Sequence, residues 1–179
     1  MEHQARSSRR GSREVILDAA EALVREQGVN RMTLEAVAAK AGLSKGGLLY
    51  NFPSKDALLR GLIERFTERM DLGAGDRSPG TVVSRRLAVH DENAANRQGG
   101  LGMLAAFAEN PDLVDPIRSL QRQLWDHWKA SEADPERALI AWLAAEGLCF
   151  LDLFDTSPLT AEEHGKVVAA IKAIARGAP

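Results

Sequence analysis

The residues best suited to chemistry in this chain lie close together, between Thr33 and Lys55. Lys45 offers a cation and Tyr50 a hydroxyl, and the helical register predicts that both point outward. Lys55 falls in the first turn of a predicted helix, where the helix dipole disfavours a cation. A phosphate at that helix end would offset the cost, because backbone N–H groups and the Lys55 ammonium would both face it. These residue types therefore favour contacts with nucleic-acid phosphates.

Two short helices joined by a tight turn must position these side chains. Thr33 is a good N-cap for the first helix, and Gly42 can take the positive φ that ends it sharply. Ser44 caps the second helix, expected over residues 44–51. This spacing is that of a helix-turn-helix, whose second helix enters the DNA major groove. An ordinary helical hairpin in a core would use the same glycine and caps, so spacing alone leaves that alternative open.

The composition of the second helix bears on this choice. Gly46 and Gly47 are poor helix formers, each costing about 1 kcal/mol relative to Ala. A core helix would gain nothing from them, whereas a helix pressed against DNA gains a close approach of its backbone. Leu48, Leu49 and Phe52 are expected to pack inward and hold the helix in place.

The string GLSKGGLLYNFPSKDALL, residues 42–59, resembles the DNA-binding domain of the TetR family of bacterial transcriptional repressors. One departure is Asn51, where many members have His; Asn can still donate to a phosphate or a base edge, so the departure bears on the target sequence. The resemblance implies DNA contacts by Thr33, Ser44, Lys45, Tyr50, Asn51 and Lys55. Gly46 and Gly47 complete the predicted set. The alternative roles are two helix caps, a solvated Lys pair, a core Tyr and a surface Asn.

The predicted fold class is all-α with about nine helices. An N-terminal helix-turn-helix domain over residues 12–56 begins with a helix from Ser12 to about Gln27. A helical regulatory and dimerisation domain follows over residues 57–179. Residues 1–11 are read as a flexible basic arm that could reach DNA phosphates, or equally as a disordered tail. Later helices are predicted over about 54–72, 79–97, 99–109, 110–131, 134–154 and 160–176.

The predicted helix ending at Phe154 is apolar on nearly every side, so it must be buried all round. A chain this small has difficulty burying one helix on both faces, and a second subunit solves the problem. We expect a two-fold homodimer through a four-helix bundle of the last two helices, as the resemblance also implies. The alternative is a monomer with a deep core helix. The predicted interface comprises Ala144, Gly147, Leu148, Leu151, Val167, Ile171 and Ile174.

Aromatic and sulfur-containing side chains of the regulatory domain could line one ligand cavity, although core packing is the alternative for each of them. Polar groups such as Gln121, Gln123 and His127 could orient a ligand. The resemblance implies an unidentified small-molecule inducer that shifts the spacing of the two DNA-binding domains. The predicted pocket comprises Met103, Phe107, Leu124, Trp125, Trp128, Trp142 and Cys149.

The charge distribution and the single cysteine narrow the class of protein and its compartment. Residues 1–60 hold ten Lys and Arg against seven Asp and Glu, whereas residues 61–179 hold thirteen against eighteen. A basic N-terminal part on an acidic remainder fits a DNA-reading end. Cys149 stands alone and no signal or membrane segment is visible, so a cytoplasmic protein is expected.

An enzyme is the rival from another class, and the sequence offers little for it. The histidines stand far apart along the chain, with no metal-ligand spacing and no catalytic motif, so neither cofactor nor metal is predicted. A helical protein-interaction module without DNA binding is the second rival. The sequence favours a DNA-binding transcriptional regulator, and the resemblance implies a repressor that a small molecule releases from a palindromic operator.

Overall fold

The computed structural model describes residues 2–70, 75–93 and 97–177. Within them the chain forms nine α-helices and two short 3-10 helices, with no strand, so the predicted all-α class is confirmed. The 3-10 helices span Val29–Arg31 and Pro111–Val114. The α-helices are α1 Glu2–Gln27, α2 Leu34–Lys40, α3 Lys45–Asn51, α4 Lys55–Met70, α5 Pro79–Asn93, α6 Arg97–Glu109, α7 Asp115–Ser131, α8 Pro135–Leu153 and α9 Ala161–Ala175.

The start of α1 differs from its prediction. The helix begins at Glu2 rather than at Ser12, so the segment predicted as a flexible arm has a helical backbone from Glu2 onward. No proline interrupts residues 2–11, and extending an existing helix adds one hydrogen bond for each residue fixed. Continuing the helix therefore costs less than starting one at Ser12. The proposed reach of this segment to DNA stays a prediction.

The chain forms two compact units. The head unit contains Met1–Arg65 and Gln98–Pro116, and the body unit contains Phe66–Arg97 and Ile117–Pro179. The predicted domain limits had placed residues 98–116 with the regulatory domain. The structure groups them with the head unit.

Contacts between distant parts of the sequence explain this grouping. The Cα of Gly102 lies so close to Val29 that an added Cβ would meet the Val29 Cβ at 3.0 Å. Arg60 donates to the backbone oxygen of Asp112 at 3.0 Å. Such long-range contacts leave no trace in local patterning.

The head unit is held by apolar packing and by the hydrogen bonds of Arg65. Ile16, Leu17, Leu48 and Leu58 are fully buried. Arg65 of α4, with an 11% exposed side chain, donates to the backbone oxygen of Leu17 at 2.9 Å. It also donates to Asp18 Oδ1 of α1 at 2.6 Å and pairs with Glu21. These bonds fix α4 against α1.

The helix starts predicted for the regulatory domain are largely confirmed. Asp134 caps α8, and Thr160 and Glu163 form a capping box at α9. Asn110 caps a 3-10 helix, however, and α7 begins only at Asp115. Pro116 has no N–H to donate to the oxygen of Asp112, so a continuous α-helical ladder cannot pass this point.

Two predicted helix ends lie beside residues outside the described ranges. Met70 ends α4, and residues 71–74, which hold the predicted end near Leu72, lie outside the described residues. Asn93 ends α5, and residues 94–96 before the predicted end lie outside them as well.

The core of the body unit is built around two tryptophans. Trp128 and Trp142 meet edge to face, with ring centroids 6.4 Å apart. The indole N–H of Trp128 donates to the backbone oxygen of Arg77 at 2.8 Å, which satisfies the one polar atom that its burial removes from water. Arg86 of α5 and Glu146 of α8 pair at 2.7 Å beside this core.

Among the described residues, none of the helices has both the length and the apolar character that a membrane span needs.

Candidate DNA-binding surface

Three side-chain caps set the geometry of α2, α3 and α4. Thr33 Oγ1 accepts from the amide of Ala36, and Ser44 Oγ accepts from the amide of Gly47, both at 3.1 Å. Ser54 Oγ accepts from the amide of Ala57 at the same distance. A capping hydroxyl uses an oxygen lone pair and keeps its own proton, so Thr33 and Ser44 can still donate to a phosphate.

The turn between α2 and α3 follows its prediction. Gly42 has φ +67°, a backbone conformation that residues with a Cβ rarely adopt. The amide of Leu43 then donates to the oxygen of Ala38 at 2.9 Å and closes the corner. The chain leaves α2 in a direction that lets Ser44 start α3 immediately.

Helix α3 buries one side and exposes the other. Leu48 is fully buried and Phe52 is 4% exposed, while Tyr50 is 68% exposed. The Lys45 side chain is 60% exposed. These positions match the predicted orientation and exclude a core role for Tyr50. Gly46 is exposed, and a Cβ added there would meet no atom nearer than 3.9 Å, so a ligand could approach the backbone closely at this point.

Two members of the predicted set are less available than expected. Asn51 is half-buried, and its side-chain nitrogen donates to the backbone oxygen of Gly47 at 3.0 Å. One amide hydrogen of Asn51 is therefore engaged within α3. Lys55 is the first residue of α4, so its predicted position in the first turn is confirmed. Its side chain is half-buried.

Sequence reasoning missed Glu35 on this surface. Glu35 Oε1 in the first turn of α2 lies 2.7 Å from Lys45 Nζ, and both side chains are about 60% exposed, at 62% and 60%. The hydrogen bond from Lys45 lowers the pKa of Glu35, which favours its carboxylate form. In the sequence alone Glu35 looks like an acid placed to favour a helix N-terminus.

The residues of the predicted ligand pocket belong to both compact units, and the pocket itself stays a prediction. Leu124, Trp128, Trp142 and Cys149 are buried in the core of the body unit, and Trp125 packs half-buried against it. Met103 and Phe107 fall instead in the segment assigned to the head unit. Gln121, Gln123 and His127, suggested as polar groups of the pocket, are exposed on α7.

An open cleft of about 440 Å³ lies elsewhere in the body unit. None of its lining residues belongs to the predicted pocket. They are Ser78, Gly80, Thr81, Ser84, Arg85 and Arg176.

Helix α8 carries an exposed apolar face. Leu148 and Ile171, predicted at the dimer interface, are only 5% and 4% exposed because they pack into the core of their own chain. Val167 and Ile174 are half-buried against the same core. Ala144, Gly147 and Leu151 of the predicted interface are exposed. The exposed apolar face of α8 consists of Ile140, Leu143, Ala144, Gly147, Phe150 and Leu151, and Phe154 at the C-cap of the helix extends it.

Two histidines that are distant in sequence meet at one carboxylate. The Nε2 atoms of His90 and His164 lie 3.1 and 3.0 Å from Oδ2 of Asp152, which joins α5, α8 and the start of α9. No local spacing in the sequence indicated that these two histidines would meet. Within the described ranges, no group of three His, Cys, Asp or Glu side chains is arranged to hold a metal ion.

Two known protein-family models match this chain. The family model for the tetR family of bacterial regulatory proteins matches residues 16–62. A second family model, for the tetracyclin repressor-like C-terminal domain, matches residues 80–176. No curated protein matches in a comparison of sequences.

Solved structures share the fold over most of the chain. A TetR transcription regulator from Haloarcula marismortui is 17% identical with a TM-score of 0.70, and the match covers 94% of this chain and 98% of the other. A transcriptional regulator from Rhodococcus sp. Rha1 is 17% identical with a TM-score of 0.68, covering 93% and 97%. The multidrug binding protein EbrR, complexed with proflavin, is 19% identical with a TM-score of 0.57, covering 89% and 99%.

Proposed function

Because the chain belongs to the TetR family of bacterial regulatory proteins, which are DNA-binding transcriptional regulators, we propose that it is a repressor that binds a palindromic operator as a homodimer. The observation that carries the proposal is the orientation of α3. Leu48 anchors the helix in the core, while Lys45 and Tyr50 face outward from a helix-turn-helix.

The proposed contacts divide by chemistry. Lys45, Tyr50 and Asn51 would reach base edges or phosphates from α3, and Gly46 and Gly47 would let its backbone come close. Thr33, Ser44 and Lys55 lie at three helix N-termini, where backbone N–H groups and hydroxyl or ammonium donors favour phosphate. By function, we propose residues 12–56 as the DNA-binding domain and residues 57–179 as the regulatory and dimerisation domain, although residues 57–65 and 98–116 pack within the head unit.

The exposed apolar face of α8 supports the homodimer. Ile140 and Leu143 are 60% and 59% exposed, and Phe150 and Phe154 stack with ring centroids 6.4 Å apart. A contiguous apolar surface of this kind marks an interaction site. Ala144 and Gly147 would allow a second copy of α8 to approach closely. A two-fold pairing would place the same face on both sides, as a palindromic operator requires.

We further propose that a small molecule releases the repressor from its operator. EbrR, a structural relative, binds proflavin. A ligand acts in this way only if it binds the released state more tightly than the DNA-bound state. Since the proposed target is the bacterial chromosome, the proposed compartment is the cytoplasm.

Selection of bound duplexes from random DNA tests the function directly. The expected result is enrichment of a palindrome with half-sites about one helical turn, or a multiple of it, apart. Binding should weaken linearly on a plot of log K against log salt, because lysines release counterions from phosphates. A helical protein-interaction module would enrich no sequence and show no such slope, and that result would refute the proposal.

A further inference from the structure

We propose that Glu35 is a specificity-determining residue of the DNA-binding surface, acting through the lysine that it holds. In this proposal Glu35 directs Lys45 toward a guanine base edge and penalises binding to DNA of other sequence. The inference rests on the proposed function and deepens it. It assigns a role to a residue of α2 that lies outside the predicted set of DNA contacts.

The geometry that carries this inference is an ion pair between the two helices of the helix-turn-helix. Glu35 is the second residue of α2, and Lys45 is the first residue of α3. Their Oε1 and Nζ atoms are 2.7 Å apart, although each side chain keeps about 60% of its surface in contact with solvent, 62% and 60% respectively. The pair therefore sits at the surface where α3 begins.

Stability alone gives little reason for this pair, because exposed ion pairs contribute little to folding. A second pair of the head unit shows the ordinary case. Glu26 of α1 and Lys40 of α2 also meet at 2.7 Å, but they tie α2 to the bracing helix and do not involve α3. The two pairs match in residue types and distance, and they differ in whether the lysine belongs to α3.

The consequences on DNA follow from charge and from the count of donors. A carboxylate beside the duplex is repelled by phosphates of any sequence, so Glu35 weakens non-specific binding. An ammonium has three N–H donors. One is taken by Glu35, and the two that remain match the O6 and N7 acceptors that guanine presents in the major groove. Only a guanine at this position would then offset the repulsion.

The experiment compares four variants of the full chain: Glu35→Gln, Lys45→Gln, the double variant, and Glu26→Gln as the matched control. Affinity for the selected duplex and for a scrambled duplex is measured over a salt series. Glu35→Gln should strengthen binding to the scrambled duplex and lower the ratio of the two affinities roughly tenfold. The salt slope on the scrambled duplex should steepen by about 0.9, since a freed Lys45 neutralises one more phosphate.

The controls separate this role from a structural one. Glu26→Gln should leave the ratio and the slope unchanged. The double variant should have the same ratio as Lys45→Gln alone, because the direct repulsion between Glu35 and phosphates is equal on the two duplexes and cancels in the ratio. Circular dichroism should show the same helix content in all four variants.

The experiment distinguishes failure of the proposed function from failure of the proposed role of Glu35. If the unmodified protein selects no sequence, the proposed function falls and this role falls with it. If the unmodified protein selects an operator but Glu35→Gln changes the ratio no more than Glu26→Gln does, the role of Glu35 alone is refuted. The operator position contacted by Lys45 is the one whose base preference changes in Lys45→Gln. If that position carries no guanine, the role of Glu35 is also refuted.

Discussion

Leu48 and Tyr50 lie two residues apart on α3, yet Leu48 is fully buried and Tyr50 is 68% exposed. Two residues on an α-helix are separated by about 200° around the axis, so the two side chains point to nearly opposite sides. The short helix thus has a face that anchors it and a face that it offers to a partner.

Replacing Tyr50 with Ala should weaken operator binding roughly tenfold or more, because an exposed contact to DNA is lost. The free energy of unfolding should change by only about 0.5 kcal/mol, as expected for a surface position. Electrophoretic mobility shift and calorimetry measure the two effects. The companion variant Leu48→Ala should cost about 2–5 kcal/mol of stability. Equal destabilisation by both variants would contradict the assigned faces.

Replacing Lys55 with Ala should weaken binding to all duplexes by a similar factor, since phosphate contacts carry no sequence information. The slope of log K against log salt should become shallower by about 0.9. Lys166→Ala provides the control, because Lys166 is 72% exposed on α9 and pairs with Glu162. A change in base preference caused by Lys55→Ala would argue against a phosphate contact.

Replacing Leu143 with Glu should convert dimers to monomers, because the proposed interface would have to bury an unpaired charge. Leu143 is 59% exposed in the single chain, so its folding should be little affected. Light scattering with size-exclusion chromatography measures the mass. Leu101→Glu, at a 41% exposed leucine of α6, should leave the dimer intact. A dimeric Leu143→Glu protein would exclude this face as the interface.

Replacing Gly102 with Ala should destabilise the head unit by about 1–3 kcal/mol, an overpacking cost. The new Cβ would lie 3.1 Å from the backbone nitrogen of Val29, which cannot move as a flexible side chain can. Gly165→Ala in α9 should instead stabilise the protein by about 0.5–1 kcal/mol, since no atom lies within 4 Å of that Cβ. Urea unfolding distinguishes the two, and equal effects would contradict the close approach at Gly102.

Burial raises the pKa of the Cys149 thiol to about 11 from an ordinary value of 9.0. The unfolded chain therefore loses this proton at a lower pH than the folded chain does. The contribution of the protonated Cys149 thiol to the free energy of unfolding is complete below pH 9, and it falls as the pH rises toward about 11. The difference in unfolding free energy between the unmodified protein and Cys149→Ala should shrink over that window. A pH-independent difference would contradict the burial of this thiol.

Much of the head unit could be predicted because its signals are local. Thr33 and Ser44 accept the capping bonds expected of them, and Gly42 has the positive φ that the turn requires. Each of these outcomes depends on a residue and its neighbours within four positions. The helix starts at Asp134 and Thr160 were predictable for the same reason.

The predicted pocket and interface stay predictions, because they depend on which faces of distant helices meet. Leu148 and Leu151 are equally apolar in the sequence, yet Leu148 is 5% exposed and Leu151 is 39% exposed. An all-round apolar helix indicates that every face needs burial, but it does not say which face turns to the chain's own core. That orientation is set by packing against α5 and α9.

By itself, the sequence determined most of the helices, most of their caps and the outward face of α3, because hydrogen bonding and helical periodicity act over a few residues. Only the tertiary structure brought Glu35 to Lys45, Val29 to Gly102, and both His90 and His164 to Asp152. These meetings depend on the angles at which helices cross, and those angles are decided by the packing of whole side-chain surfaces rather than by any local pattern.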